Sequence, residues 1–249
     1  MSSPEKAKVP IMLGGWRVWD LSAGRDLDPG LTRGIWICLD RNGVVIPEND
    51  RQVTASELEM ILEIFADHPL AFHVATPADE NRIPSFLDKL VGRYPTLKGQ
   101  TLQINPQLRP STCEALLPVK KKHGFTIVLP HFSLYGADAW APSVALADQV
   151  LFDAGGLRNL NNLNIDARTV DALRIVTDVS KAPLALAGKL TAVSIAELGL
   201  PFHETRALLN RDFALSGDVP LTADGSLDLE KTKAFVLAAA KLLGIELKS

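Results

Sequence analysis

Cysteine is scarce in this chain: two residues, Cys38 and Cys113, stand far apart among 249 positions. They form no CxxC and no ligand-like spacing, which argues against a disulfide scaffold or a cysteine metal site. Two reduced thiols in a cytoplasmic protein are the expectation. Metal signatures are missing too, with no HExxH, no His-x-His and no clustered carboxylates. Neither a GxSxG nucleophile turn nor a GxxxxGKS/T phosphate loop occurs. No apolar run approaches a membrane span, and no hydrophobic signal region follows the polar start Met1 to Lys8. Charge of one sign is not in excess: 26 Lys+Arg against 29 Asp+Glu leave a formal net charge of −3. Nucleic acid and membrane are therefore not expected as partners. A small-molecule substrate is, a homo-oligomer is compatible, and no cofactor is called for.

What is present is a regular alternation. Hydrophobic residues make up 47% and charged residues 22% of the chain, enough for one sizeable core. Residues 1–13 read as a flexible leader and 14–249 as a single domain. Gly14 to Ser22 alternates aromatic and polar residues and reads as the first strand, followed by a loop, Ala23 to Arg33, instead of a helix. Gly34 to Asp40 is a continuous apolar run, as in a buried parallel strand, and Val44 to Ile46 returns from a tight turn. Thr54 and Glu57 form a capping box ahead of Leu58, Ile61, Leu62 and Phe65 at helical spacing. Strands are then expected at Leu70–Ala75, Thr101–Asn105, Phe125–His131, Gln149–Asp153, Pro183–Leu190 and Asp212–Val219. Helices are expected at Pro84–Tyr94, Pro110–Gly124, Pro142–Ala147, Asp166–Thr177, Thr191–Asn210 and Asp228–Leu243. The lysines Lys120 to Lys122 beside Gly124 suit a helix C-terminus. About eight strands over this length predict a (β/α)8 TIM barrel with an irregular first unit. A doubly wound open sheet fits the same alternation, but its glycine fingerprint would follow the first strand, whereas the glycine-rich turns here come late.

In such a barrel the C-terminal strand ends converge on one site, so polar residues ending apolar runs are candidates. These are Asp20, Asp40, His73, Asn105, His131, Asp153, Lys189 and Ser216 with Asp218. Asp153, Lys189, Asp20, Asp40 and His131 are the candidate catalytic residues. The turns after the last two strands, Gly188-Lys189 and Ser216-Gly217, suit a phosphate, because glycine lets backbone N–H groups approach an anion. Asn159 to Asn164, after Gly155-Gly156, reads as an ordinary exposed βα loop, with a lid over that phosphate as the alternative.

Two phosphate-binding barrel families are resembled by about the last hundred residues. Leu186-Ala187-Gly188-Lys189-Leu190, followed by Ile195 and Leu198, is similar to a strand and helix of the (5-formylfuran-3-yl)methyl phosphate synthases, and Val150-Leu151-Phe152-Asp153 resembles their catalytic aspartate strand. Phe152-Asp153-Ala154, Gly155-Gly156 and Ser216-Gly217-Asp218 resemble, less closely, motifs of phosphoribosylanthranilate isomerase. The synthase family's early Asp-Val-Lys strand has no counterpart, Leu157 stands where its later lysine would be, and the isomerase's Lys-Ile-Cys-Gly start is absent. The resemblance implies a biosynthetic lyase or aldolase on a small phosphorylated carbonyl compound, with Lys189 on the phosphate or forming an imine and Asp153 moving protons. An isomerase on a phosphorylated sugar and a non-catalytic binding or subunit barrel are the alternatives.

Overall fold

The computed structural model describes residues 11–27, 31–75, 80–104, 108–132, 143–153 and 163–247, with the backbone alone for His131 and Phe132. Eight parallel strands close into a barrel in chain order: β1 (Ile11–Gly14), β2 (Leu31–Cys38), β3 (Leu70–Ala75), β4 (Thr101–Ile104), β5 (Thr126–Phe132), β6 (Gln149–Asp153), β7 (Leu184–Ala187) and β8 (Phe213–Asp218). The seam is β1 against β8, from Ile11 opposite Leu215 to Gly14 opposite Asp218. The helices among the described residues are α1 (Val18–Ala23), α2 (Ala55–Ile64), α3 (Ile83–Arg93), α4 (Pro110–His123), α5 (Ala167–Val179), α6 (Ala192–Leu209) and α7 (Leu229–Leu243). None is long and apolar enough to cross a membrane.

Strand alternation sorts the core into two layers. Residues such as Leu13, Ile35, Phe72, Leu102, Ile127, Phe152, Leu186 and Leu215 point outward into the large cluster shared with the helices. Inside the barrel, Val128, Leu151, Ala185, Ala187 and Ala214 form a second, smaller cluster. Several local readings are realised closely. The side chain of Thr54 accepts from Glu57 N while Glu57 accepts from Thr54 N, so the capping box opens α2. Gly124 ends α4 in the left-handed region, beside Lys120, Lys121, Lys122 and His123. Val45 bridges Leu39 in the expected short return.

The first unit differs from expectation. Ile11 to Leu13 are not leader but three of the four residues of β1; residues 1–10 lie outside the described part. Arg17 to Ala23 is not strand. Gly15, at φ +85°, turns the chain out of β1, and Asp20 caps the start of α1 by accepting from Arg17 N at 3.0 Å. The apolar–polar alternation of Trp16, Val18 and Asp20 mimicked a strand, yet Trp16 is fully buried beside the helix and Trp19 is exposed. A buried Arg33 fastens this unit from below. Its guanidinium donates to the carbonyls of Leu31, Gly24 and Leu27 and lies 5.6 Å from the Trp16 ring centroid. The helix expected at Thr191–Asn210 is present as α6, with a break inside it at Gly199. Pro201 explains this: its ring and missing N–H disrupt the preceding turn. The helix expected at Pro142–Ala147 falls partly outside the described residues.

Candidate functional site

The mouth of the barrel is organised around the end of β1. A Cβ added to Gly14 would lie 2.8 Å from Trp36 Nε1 and 3.7 Å from Asp218 Oδ1. The missing side chain therefore lets the Trp36 ring, from β2, and the Asp218 carboxyl, from β8, converge on one point. Gly15 next to it leaves room for Arg51, whose Nε would be 3.3 Å from a Cβ there. Arg51 belongs to the β2–α2 connection, which is fixed by Val53 N donating to Trp36 O at 3.0 Å and by a bridge between Gln52 and Trp36. The Arg51 guanidinium donates to the Gly15 carbonyl, and its Nη1 stands 3.5 Å from Asp20 Oδ2. Trp36 meets His73 of β3 edge-on, ring centroids 5.7 Å apart.

Three carboxylates belong to this region, and their environments differ. Asp20 is fully buried; Oδ2 takes the Arg17 amide and the Arg51 ion pair, while Oδ1 has no hydrogen-bond partner among the described residues. Burial raises its pKa, opposed by the Arg17 amide and by the charges of Arg51 and Arg17. Asp218 is reachable from the mouth, yet protein surrounds it on most sides. That crowding raises its pKa, the charge of Asp153 raises it further, and Arg51 pulls it down. Asp153, half-buried at the end of β6, faces Ala187 across the β6–β7 register. Asp218 ends β8, on the other side of β7, and the charge of Asp153 reaches it there.

Of the expected catalytic residues, Asp153 ends β6 at this mouth, while Asp20 is fully buried behind it against Arg51. Asp40 stands apart: it accepts from Asn42 N and Val44 N, both at 2.8 Å, in the turn after β2. Those amide bonds hold its pKa down, the role of a turn cap. His131 lies on β5 opposite Phe152, and its side chain is outside the described residues. Lys189 lies just past β7, exposed, at φ +44°, a left-handed conformation that a non-glycine residue adopts only at some cost.

The four expected phosphate residues have different surroundings. Gly188 O accepts from Leu163 N at 2.9 Å. Ser216 is buried on the inner face of β8, whereas the adjacent Gly217 faces outward, where a Cβ would come within 2.8 Å of Phe235 Cε2 on α7. The absence of a side chain at Gly217 thus admits Phe235. The β8–α7 connection is a small hairpin bridged by Leu221 and Leu227. Gly155, Gly156 and Asn159 to Asn162 lie outside the described residues, as does Asn105.

Sequence reasoning missed Arg51, Trp36 and the Gly14-Gly15 turn. The glycine pair was a visible signal that was assigned to the wrong side of the strand. Arg51 carried none, because only the β2–α2 path brings it to the mouth.

No protein-family model matches the chain, and no curated protein matches it. Solved structures do. A mutant tryptophan synthase α-subunit from Pyrococcus furiosus matches with TM-score 0.55 and 13% identity, over 95% of this chain and 98% of its own. Another mutant of that subunit gives 0.53 at 13% identity, over 94% and 96%. The likeness is one of fold: this chain is a closed (β/α)8 barrel, and neither phosphate-binding family resembled by its last hundred residues is matched in sequence.

Proposed function

We propose that this protein is an acid–base enzyme acting on a small phosphorylated carbonyl compound, in an isomerase-type reaction. Asp218 is the acid and Asp153 the base. The observation that carries this reading is the placing of the two carboxylates at the C-terminal ends of β6 and β8, on either side of β7 and within electrostatic reach of each other. The charge of Asp153 works against ionisation of Asp218, so one group tends to keep its proton while the other can receive one. Substrate held between them loses a proton to Asp153 and gains one from Asp218. The phosphate is assigned to Lys189 at the rim of β7. An imine-forming lyase is less well supported, because a nucleophilic lysine is usually activated by desolvation and Lys189 is exposed.

The test is solvent exchange. Phosphorylated trioses, tetroses, pentoses and hexoses are incubated with the protein in D2O, and deuterium uptake is read by NMR. Asp153→Asn and Asp218→Asn are expected to lower the exchange rate by about 10²–10⁴-fold while retaining binding. Lys189→Ala should chiefly raise KM. Borohydride trapping of an adduct on Lys189 would replace this reading with the imine lyase. Tight binding of a phosphate ester with no exchange would leave a non-catalytic barrel.

A further inference from the structure

Asp20 was expected at the site as a catalytic residue, and Arg51 was not expected there at all. We propose that the two form a positioning pair for Asp218, in which the Arg51 guanidinium is the counter-charge that receives the Asp218 carboxylate once that group has given up its proton. The inference rests on the assignment of Asp218 as the acid.

The geometry supports a fixed pair. Arg51 is held from two sides, by the Gly15 carbonyl and by Asp20, and Gly15 has no side chain to displace it. Asp20 is itself immobilised, since one oxygen caps α1 and its side chain has no exposed surface. It touches neither the mouth nor, by that burial, a substrate, so it acts through Arg51. Asp218 Oδ1 lies 3.7 Å from the Cβ position of Gly14 and Arg51 Nε 3.3 Å from that of the adjacent Gly15, and both positions lie against Trp36 Cε2, at 3.5 and 3.6 Å. Among the described residues the charged groups acting on Asp218 are Asp153 from β6 and Arg51 from the β2–α2 connection. Those acting on Asp20 are Arg17 and Arg51, and Arg17 is in turn bound to Glu57 of α2, Nη2 to Oε1 at 2.6 Å.

The division of labour follows from these charges. An unopposed arginine beside Asp218 would ionise it and leave no proton to donate. An absent arginine would leave the newly formed carboxylate facing Asp153 alone. Asp20 offsets part of the Arg51 charge, so the arginine assists the ionised form without abolishing the protonated one. In the step itself the Asp218 O–H bond breaks, its proton passes to the substrate, and the electron pair stays on the carboxylate beside Arg51. Asp153 ends the step protonated and Asp218 ionised; Asp153 then releases its proton to solvent and Asp218 takes one up from solvent, which restores the starting state.

The experiment titrates Asp218 in full-length protein labelled with ¹³C-aspartate, its Cγ resonance assigned with Asp218→Asn. Arg51→Met should move the midpoint up and Asp20→Asn should move it down, each by about half a unit to one unit. Asparagine keeps the oxygen that caps α1, so Asp20→Asn tests charge rather than folding. Arg51→Lys should return the midpoint toward that of the parent protein, which a merely structural arginine would not require, and it stands in if Arg51→Met fails to fold. A midpoint that stays in place in Asp20→Asn and in the arginine variant, or moves the same way in both, overturns the proposal. Because the titration needs no substrate, it reads the pair even where deuterium exchange fails. Where exchange is seen, the alkaline limb of its pH profile should move with the midpoint.

Discussion

Gly217→Ala separates the packing role of this glycine from an anion-binding role. The added methyl would sit 2.8 Å from Phe235 Cε2, 3.0 Å from Phe235 Cζ and 3.5 Å from Leu13 Cδ2. Carbon atoms in cores rest about 3.5–4.0 Å apart, so the Phe235 ring must retreat by roughly 0.7 Å or more. That ring is 1% exposed and lies in the main cluster, so its retreat displaces other side chains. Overpacking of this kind costs about 1–3 kcal/mol. For a domain of this size the thermal midpoint should fall by about 2–12 °C. The backbone of Gly217 is not in the left-handed region, so the clash and not the dihedral carries the effect. Thermal unfolding followed by circular dichroism is the assay, with phosphate-ester binding measured on the same samples. Phe235→Leu makes room for the methyl, so the double variant should be more stable than the two single losses sum to, by about 0.5–3 kcal/mol. An unchanged midpoint with lost phosphate binding would refute the packing account and restore Gly217 to the ligand.

Two further outcomes follow from side chains away from the mouth. Arg33→Met removes the donor to three interior carbonyls, and denaturant unfolding should show a loss above about 2 kcal/mol, with an unchanged stability arguing that water replaces the guanidinium. Asp224, in the hairpin after β8, accepts from Ser226 N and Oγ and from Thr222 Oγ1, and these bonds hold its pKa at about 2. Its folded pKa is below the unfolded value of about 3.9, so its contribution is present above pH 4 and fades as pH falls toward 2. Asp224→Asn should therefore lower the midpoint of thermal unfolding at pH 6 and converge with the parent protein near pH 2; a constant difference across that range would refute the ionic origin.

The fold was largely legible because most of its boundaries are written in local chemistry. Leu70–Ala75 and Gln149–Asp153 match β3 and β6 end to end, since apolar runs between polar turns leave little choice of register. Thr54 with Glu57 and Gly124 mark helix ends through bonds spanning only a few residues. The first unit was obscure because Trp16, Val18 and Asp20 fit either period over so short a span. The candidate site was legible only in part. Asp153 and Asp218 announce themselves as carboxylates ending apolar runs, but inner and outer faces of a strand look alike in sequence. Ser216 and Gly217 therefore read as one turn although they face opposite sides of β8. Arg51 is placed by the path of a connection, and no spacing encodes that.

Among the described residues strand β1 runs from Ile11 to Gly14, and it pairs along that length with β2 on one side and β8 on the other. Every other ladder joins strands that follow one another along the chain. Seven ladders can therefore assemble stepwise from neighbouring segments, while the eighth must await the last strand and carries the entropy of closing a very long loop. Until it forms, β1 and β8 each present a row of unpaired backbone groups, and a second molecule at the same stage presents the matching rows. The form of this protein most open to self-association is thus the almost finished one, and closure of a four-residue seam removes both edges at once.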